Sequence, residues 1–151
     1  MDKGSYVLTF SLESPVAVVV GKLGEHTFPQ GRYAYVGSAL NGLEARVSRH
    51  FSRDKRRHWH IDHLLAHAAD LRALLLRSED RMECFLSRMV AHLPESGKEM
   101  DGFGSSDCGC DTHLYRISSR DQEYLEAVSG PCNLGTAQGK GVVSTVRYRR
   151  S

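Results

Sequence analysis

The sequence predicts an α/β (α+β) domain: a small, mostly antiparallel central sheet with helices flanking it. Three stretches carry that expectation. Residues 4–11 alternate as a strand, with Tyr6, Leu8 and Phe10 on one face. Residues 31–50 read as strand, turn and helix. Arg32-Tyr33-Ala34-Tyr35-Val36 is aromatic and β-branched, Gly37, Asn41 and Gly42 mark a turn, and helical period begins at Leu43. Finally, Met82, Phe85, Leu86, Met89, Val90 and Leu93 repeat at i, i+3, i+4 and i+7, the apolar stripe of an amphipathic helix.

The remaining elements follow in order. Residues 16–20 form a β-branched run after Ser14-Pro15, expected to pair antiparallel with the first strand through the connection at 13–15. Turns at 21–24 and 29–31 leave room for an inserted strand or hairpin before the Tyr35 strand. In the helix after it, Leu40, Leu43, Val47 and Phe51 share a stripe. Arg46 and His50, four apart, stack on its edge, neither buried nor free in water. A second helix is expected from His58, and a buried strand at 71–76. Ser78 is the expected N-cap of the third helix, and Pro94 its stop; Glu83 borders its packing face and Cys84 points away. A Gly- and Ser-rich loop covers 94–111, a strand 112–117, and a short helix capped by Ser119 runs to 128. Residues 142–148 are a last strand candidate or a basic tail.

The 151 residues suffice for one domain with a real core. The longest apolar runs, 16–20 and 73–76, are far too short to span a membrane, and the N-terminus lacks a signal-peptide layout. A cytoplasmic protein with no membrane partner is the expectation, its four cysteines reduced thiols or metal ligands rather than disulfides. A net charge of +2 does not argue for nucleic acid, but its distribution bears on it. Arg46, Arg49, Arg53, Lys55, Arg56 and Arg57 cluster against Asp54 alone, and Arg147, Arg149 and Arg150 form a second group. Such clusters suit phosphate; equally, cations solvate the negative end of a helix.

Gly4-Ser5-Tyr6 and Tyr35-Val36-Gly37 resemble the two half-motifs of the GIY-YIG nucleases, with Arg46 and His50 matching the arginine and the tyrosine or histidine of the following helix. Glu83 matches the single metal-binding glutamate. The resemblance spans residues 4–115 and is closest to a branch that shares Tyr-Val-Gly-Ser-Ala, Trp-His-Ile-Asp and Phe-Gly-Ser-Ser-Asp-Cys, some members of which are joined to a DNA glycosylase. It implies a GIY-YIG-like nuclease domain over 1–118, including a Cys/His loop at 101–113. Residues 119–151 then form a C-terminal helix and basic Gly-rich tail, packed on that domain or trailing from it.

The implied chemistry is phosphodiester hydrolysis in DNA, in repair or processing, with a DNA-repair protein as a further partner. Mg²⁺ or Mn²⁺ would sit on Glu83, since one carboxylate suffices when water and substrate oxygens complete the shell. Arg46 would fork onto the phosphate. His50 and Tyr6 or Tyr35 would orient or deprotonate the water; a tyrosine titrates near ~10, so a base role needs a cation such as Arg46 beside it. The resemblance favours a tyrosine as base without choosing between the two. Arg32, Ser38, Arg49, Arg53, Lys55, Arg56 and Arg57 are the expected nucleic-acid contacts. Ser38 stands where several relatives carry a lysine, for which Arg32 or Lys55 could substitute, and Ser5 replaces an apolar residue. The asparagine that often follows the metal-binding helix has its nearest counterparts in Ser105, Ser106 and Asp107.

Cys108-Gly109-Cys110-Asp111-Thr112-His113 is a second constellation. Two thiolates and an imidazole suit zinc, with Cys84 or Cys132 as fourth ligand; buried or free cysteines are the alternative. His63 and His67 are four apart, but no glutamate follows His63 to make a zinc-hydrolase motif. Asp62 can anchor a neighbouring histidine or arginine. Two other functions fit the chain: a non-catalytic nucleic-acid-binding module, and a zinc-stapled interaction domain in which the tyrosines play no part.

Overall fold

The computed structural model describes residues 3–52, 60–105, 108–128 and 141–147. Its centre is a six-stranded antiparallel sheet in the order β6-β7-β4-β1-β5-β8. These strands are β1 (Gly4–Leu12), β4 (Gly31–Ala39), β5 (Ala68–Ser78), β6 (Gly97–Lys98), β7 (Leu114–Ile117) and β8 (Gly141–Arg147). A separate hairpin pairs β2 (Val16–Val19) with β3 (Glu25–Phe28). Four helices complete the described fold: α1 (Leu43–Phe51), α2 (His60–Leu65), α3 (Glu83–Ala91) and α4 (Ser119–Val128). The α+β expectation therefore holds, and the expected inserted hairpin is β2–β3.

Both faces of the sheet are covered. On one, Tyr6, Leu8, Phe10 and Leu12 of β1 meet Leu43 and Val47 of α1, Ile61, Leu64 and Leu65 of α2, and Val18 and Phe28 of the hairpin. On the other, Val7, Ala34, Val36 and Leu74 meet Leu86 and Val90 of α3 and Leu125 of α4. This double burial explains why β1 keeps its alternation of faces yet exposes almost nothing.

Several local expectations are corrected. The first two strands do not pair with each other: β1 lies between β4 and β5, and the turn at 13–15 carries β2 away to β3. Leu40 lies before α1 and is 59% exposed, and Phe85 is 51% exposed on α3, so each drops out of its apolar stripe. Ser78 ends β5 instead of capping α3, its hydroxyl accepting from the Asp80 N–H. At α4 the cap is Ser118, not Ser119. The Asp121 N–H donates to Ser118 Oγ (3.0 Å) while Asp121 Oδ2 accepts from the Ser118 N–H (3.2 Å), a reciprocal capping box. Residues 112–117 yield strand only from Leu114, whereas the buried strand expected at 71–76 extends to 68–78. Among the described residues no helix is long and apolar enough to cross a membrane.

Asp121 is fully buried and also accepts the Glu95 N–H at 3.2 Å. Asp121→Ala strands two backbone donors and is expected to lower the unfolding free energy by about 2 kcal/mol. Ser119→Ala is expected to stay within about 0.5 kcal/mol of the parent. Urea unfolding of the two variants checks the assignment of the cap.

Candidate functional site

The register of β1 on β4 sets Tyr6 opposite Gly37, two residues beyond Tyr35. A short turn after β4, with Gly42 in the left-handed region (φ 71°), folds α1 back over the strand ends. Arg46 and His50, one turn apart, then overlook the two tyrosines. Glu83 opens α3, near the positive end of that helix's dipole. Together these elements line a solvent-open cavity of about 690 Å³ that contains Tyr6, Tyr35, Ser38, Arg46, His50 and Glu83.

The contacts inside it are specific. Tyr6 Oη and His50 Nε2 are 2.8 Å apart and hydrogen-bonded. His50 is 1% exposed, more deeply buried than a residue at a helix–sheet edge is expected to be. Its Nδ1 lies 4.0 Å from Oδ1 of the fully buried Asp62, and Arg49 grips both Asp62 oxygens at 3.1 and 3.0 Å. Asp62 thus anchors an arginine and stands beside a histidine. Ser38 Oγ donates to Glu83 Oε1 (2.9 Å), and Arg46 donates to the Ser38 carbonyl (3.1 Å). Gly37 matters for its missing side chain: a Cβ there would overlap the Tyr6 phenol.

Both phenols are held protonated. Burial pushes Tyr6 well above the usual range, with the nearby Tyr35 adding to the effect and Arg46 opposing it. Burial, then the charges of Glu83 and Asp62, raise Tyr35 to about 12. Arg46 therefore does not by itself ready either tyrosine as a base, a correction to the sequence expectation. The group placed to take a proton from Tyr6 is His50.

Arg32 is a second correction. It sits six residues from Ser38 along β4, about 20 Å away, where its guanidinium meets Asp70, Ser11 Oγ and Gln122 Oε1. It can neither contact a ligand in this cavity nor replace a lysine at position 38. Arg49 is engaged with Asp62. Arg53, Lys55, Arg56 and Arg57 lie outside the described residues, as do Ser106, Asp107, Cys132, Arg149 and Arg150, and the Arg147 side chain is not described. The sequence reading missed Arg81 and Lys22, two cationic side chains that line the cavity. No periodicity singles them out: Arg81 precedes α3 and Lys22 lies in the 3₁₀ turn before β3.

Beside the cavity, Cys84, Cys108, Cys110 and His113 bring one ligand atom each within 4.8 Å of one another. This Cys₃His cluster can hold a metal ion. Hydrogen bonding to Cys110, then burial and Cys108, raise the Cys84 thiol to about 12, since crowded sulfurs resist a thiolate. Cys108 also lines the large cavity, so the cluster forms part of its wall. His113 is 1% exposed, with Nε2 3.3 Å from Cys108 Sγ and Nδ1 3.6 Å from Glu83 Oε2.

The chain belongs to the family described as "Domain of unknown function DUF123", whose model matches residues 5–131. No curated protein and no solved structure matches the chain. The family match takes in every residue of the cavity and all four members of the cluster.

Gly37→Ala must displace the Tyr6 ring, and is expected to lower stability by about 1–3 kcal/mol through overpacking. Gly97→Ala, whose Cβ would meet nothing within 4 Å, is expected to be neutral or slightly stabilising. Thermal and urea unfolding of the pair measure the space that Gly37 reserves.

Proposed function

We propose that this member of the DUF123 family is a divalent-metal-dependent DNA endonuclease of the GIY-YIG type, hydrolysing phosphodiester bonds in DNA repair or processing. The observation that carries the reading is the meeting of five side chains from four separate elements, Tyr6, Tyr35, Arg46, His50 and Glu83, in one open cavity. Each alone has an ordinary structural explanation; their convergence beside two further cations, Arg81 and Lys22, suits an anionic substrate.

Glu83 is the residue that would hold Mg²⁺ or Mn²⁺. Its side chain is 14% exposed, one oxygen is oriented by Ser38, and among the described residues no second carboxylate lines the cavity. That donor set fits a hard ion that completes its shell with water and substrate oxygens. When bound, such an ion supplies Lewis-acid neutralisation of the scissile phosphate and the leaving oxygen.

The chain's own residues do the rest. Arg46 offers its planar fork to the phosphate. A water against Tyr6 gives its proton to the phenol oxygen as the Tyr6 proton moves to His50 Nε2 along the 2.8 Å hydrogen bond. Asp62 stands behind Nδ1 and favours the resulting imidazolium. Neither phenol need ionise, which accommodates the raised pKa of Tyr6. Tyr35, its ring 6.5 Å from that of His50, is left as a donor to the phosphate or the water. The missing lysine at position 38 is offset by Arg81. In the Cys₃His cluster we assign zinc, on the softness of three sulfurs and an imidazole, in a structural role. The partner in this reading is DNA, with a DNA-repair protein as a second.

Labelled duplex, nicked, abasic, flap and branched DNAs, incubated with and without Mg²⁺ or Mn²⁺, test the reading. Metal-dependent cuts are expected, reduced about 10²–10³-fold in Arg46→Ala through loss of a phosphate donor and abolished in Glu83→Ala. His50→Ala is expected to lose about 10²–10⁴-fold in turnover with little change in DNA affinity. Undiminished Mg²⁺-dependent cleavage by purified Glu83→Ala removes the metal role given to that residue. Salt-dependent binding without cuts across the panel favours a non-catalytic DNA-binding module, the reading that the serine at position 38 recommends.

A further inference from the structure

The Cys₃His cluster and the cavity share a wall, and two residues join them. Glu83 and Cys84 are consecutive in the first turn of α3, so the carboxylate and one cluster ligand move together. His113 stands between them in space. Its Nε2 edge belongs to the cluster and its Nδ1 edge faces Glu83. We propose that a soft divalent ion held by Cys84, Cys108, Cys110 and His113 fixes the Glu83 carboxylate through the His113 ring, so that loading of this centre sets the affinity of Glu83 for Mg²⁺ or Mn²⁺. The inference rests on the reading of Glu83 as a metal ligand.

Distances support it. Usual Zn–S and Zn–N bonds in a tetrahedral centre separate a sulfur from an imidazole nitrogen by about 3.5 Å. Cys108 Sγ and His113 Nε2 are 3.3 Å apart, and all four ligand atoms fall within 4.8 Å of one another, so small side-chain shifts close the centre. An ion on Nε2 forces the ring proton onto Nδ1. That nitrogen is buried and meets no partner at good hydrogen-bond geometry among the described residues, although the Gly104 backbone lies close enough to the ring to favour its protonated form; it sits 3.6 Å from Glu83 Oε2, a few tenths of an ångström too far. Drawing the ring and Glu83 together completes the carboxylate–histidine–metal arrangement by which ligating histidines are commonly oriented.

The support beneath the ring is rigid. The His113 carbonyl accepts the Val36 N–H at 2.9 Å, tying it to the strand that carries Tyr35 and Ser38, and its own N–H donates to the Phe103 carbonyl at 2.8 Å. Ser38 already donates to Oε1, and closing the 3.6 Å gap from His113 Nδ1 to Oε2 would orient the second carboxylate oxygen as well. Cys108 and Cys110 lie outside helices and strands and are drawn to α3 by the shared ion. His113 is therefore a positioning residue, acting on the hard-ion site through Glu83.

The test uses the full chain. Zinc content is measured by elemental analysis, and Mn²⁺ affinity by electron paramagnetic resonance, for zinc-loaded, chelator-stripped and zinc-restored protein. Cys110→Ser and His113→Cys are compared, the latter keeping a sulfur at the cluster but no N–H toward Glu83, with circular dichroism as the fold control. One zinc per chain is expected. Mn²⁺ affinity should fall roughly tenfold or more on stripping, return on adding zinc, and stay low in zinc-loaded His113→Cys. Should Cys110→Ser fail to fold, the stripped and restored parent still decides. A chain that binds no zinc, or Mn²⁺ affinity that is equal with and without zinc, overturns the proposal. Zinc-dependent Mn²⁺ affinity in a protein that cuts no DNA upholds the coupling and removes the hydrolase reading; cleavage with zinc-independent Mn²⁺ affinity does the reverse.

Discussion

The antiparallel register of β1 on β4 governs the site. Because Tyr6 lies opposite Gly37, its phenol crosses the space that a side chain at position 37 would fill, and its hydroxyl reaches His50 on the helix that follows. A one-residue slip would send Tyr6 to the other face of the sheet, among the residues that meet α3. Burial on both faces forbids that slip, since Leu8, Phe10 and Leu12 would move with it. The cavity thus inherits its precision from the core: the same alternation that packs the apolar residues aims the phenol.

That precision is bought with buried polar groups. His50, Asp62 and His113 are each at most 1% exposed. Burying a carboxylate is unfavourable unless it is paired, and even a well-made buried pair adds little net stability over apolar packing. Asp62 is held by a two-pronged Arg49 and backs His50, an arrangement that a purely structural core has little need of. Its value lies in charge: a carboxylate held 4.0 Å behind the imidazole favours a protonated ring while Nε2 meets Tyr6 on the other side.

Much of this was legible in the sequence, for reasons that differ by element. Strand β4 and helix α1 announce themselves through aromatic composition, a glycine-marked turn and helical period, and the i, i+4 spacing of Arg46 and His50 puts both on one side of the helix. The pairing of strands was not legible. A β-branched run beside another strand suggests a hairpin, but whether it joins the main sheet depends on tertiary contacts with α2 that no local pattern records. Arg32 shows the limit within one strand. It lies close in sequence to Ser38, yet six residues of extended chain carry it to the opposite end of the sheet. Arg81 and Lys22 lacked any signal because irregular backbone brings them to the cavity. Ser118 was overlooked for its neighbour because a cap is fixed by which hydroxyl meets the third helical N–H, and adjacent serines look alike in sequence.

Glu83 draws these threads together. On one side it faces an open cavity suited to a hard cation and an anionic substrate; on the other it adjoins sulfur ligands suited to a soft cation. Ligand softness would keep two such ions apart without any difference in overall affinity, since three thiols are poor ligands for magnesium and a lone carboxylate is a weak site for zinc. The same division lets the soft centre serve as scaffold. A four-ligand site without an open position would perform no hydrolysis of its own, but with an ion bound it would tie Cys108, Cys110 and His113 to Cys84 on α3. Such a scaffold next to Glu83, the one acidic side chain among the described residues lining the cavity, would concentrate rigidity where misplacement of a single ligand would matter most.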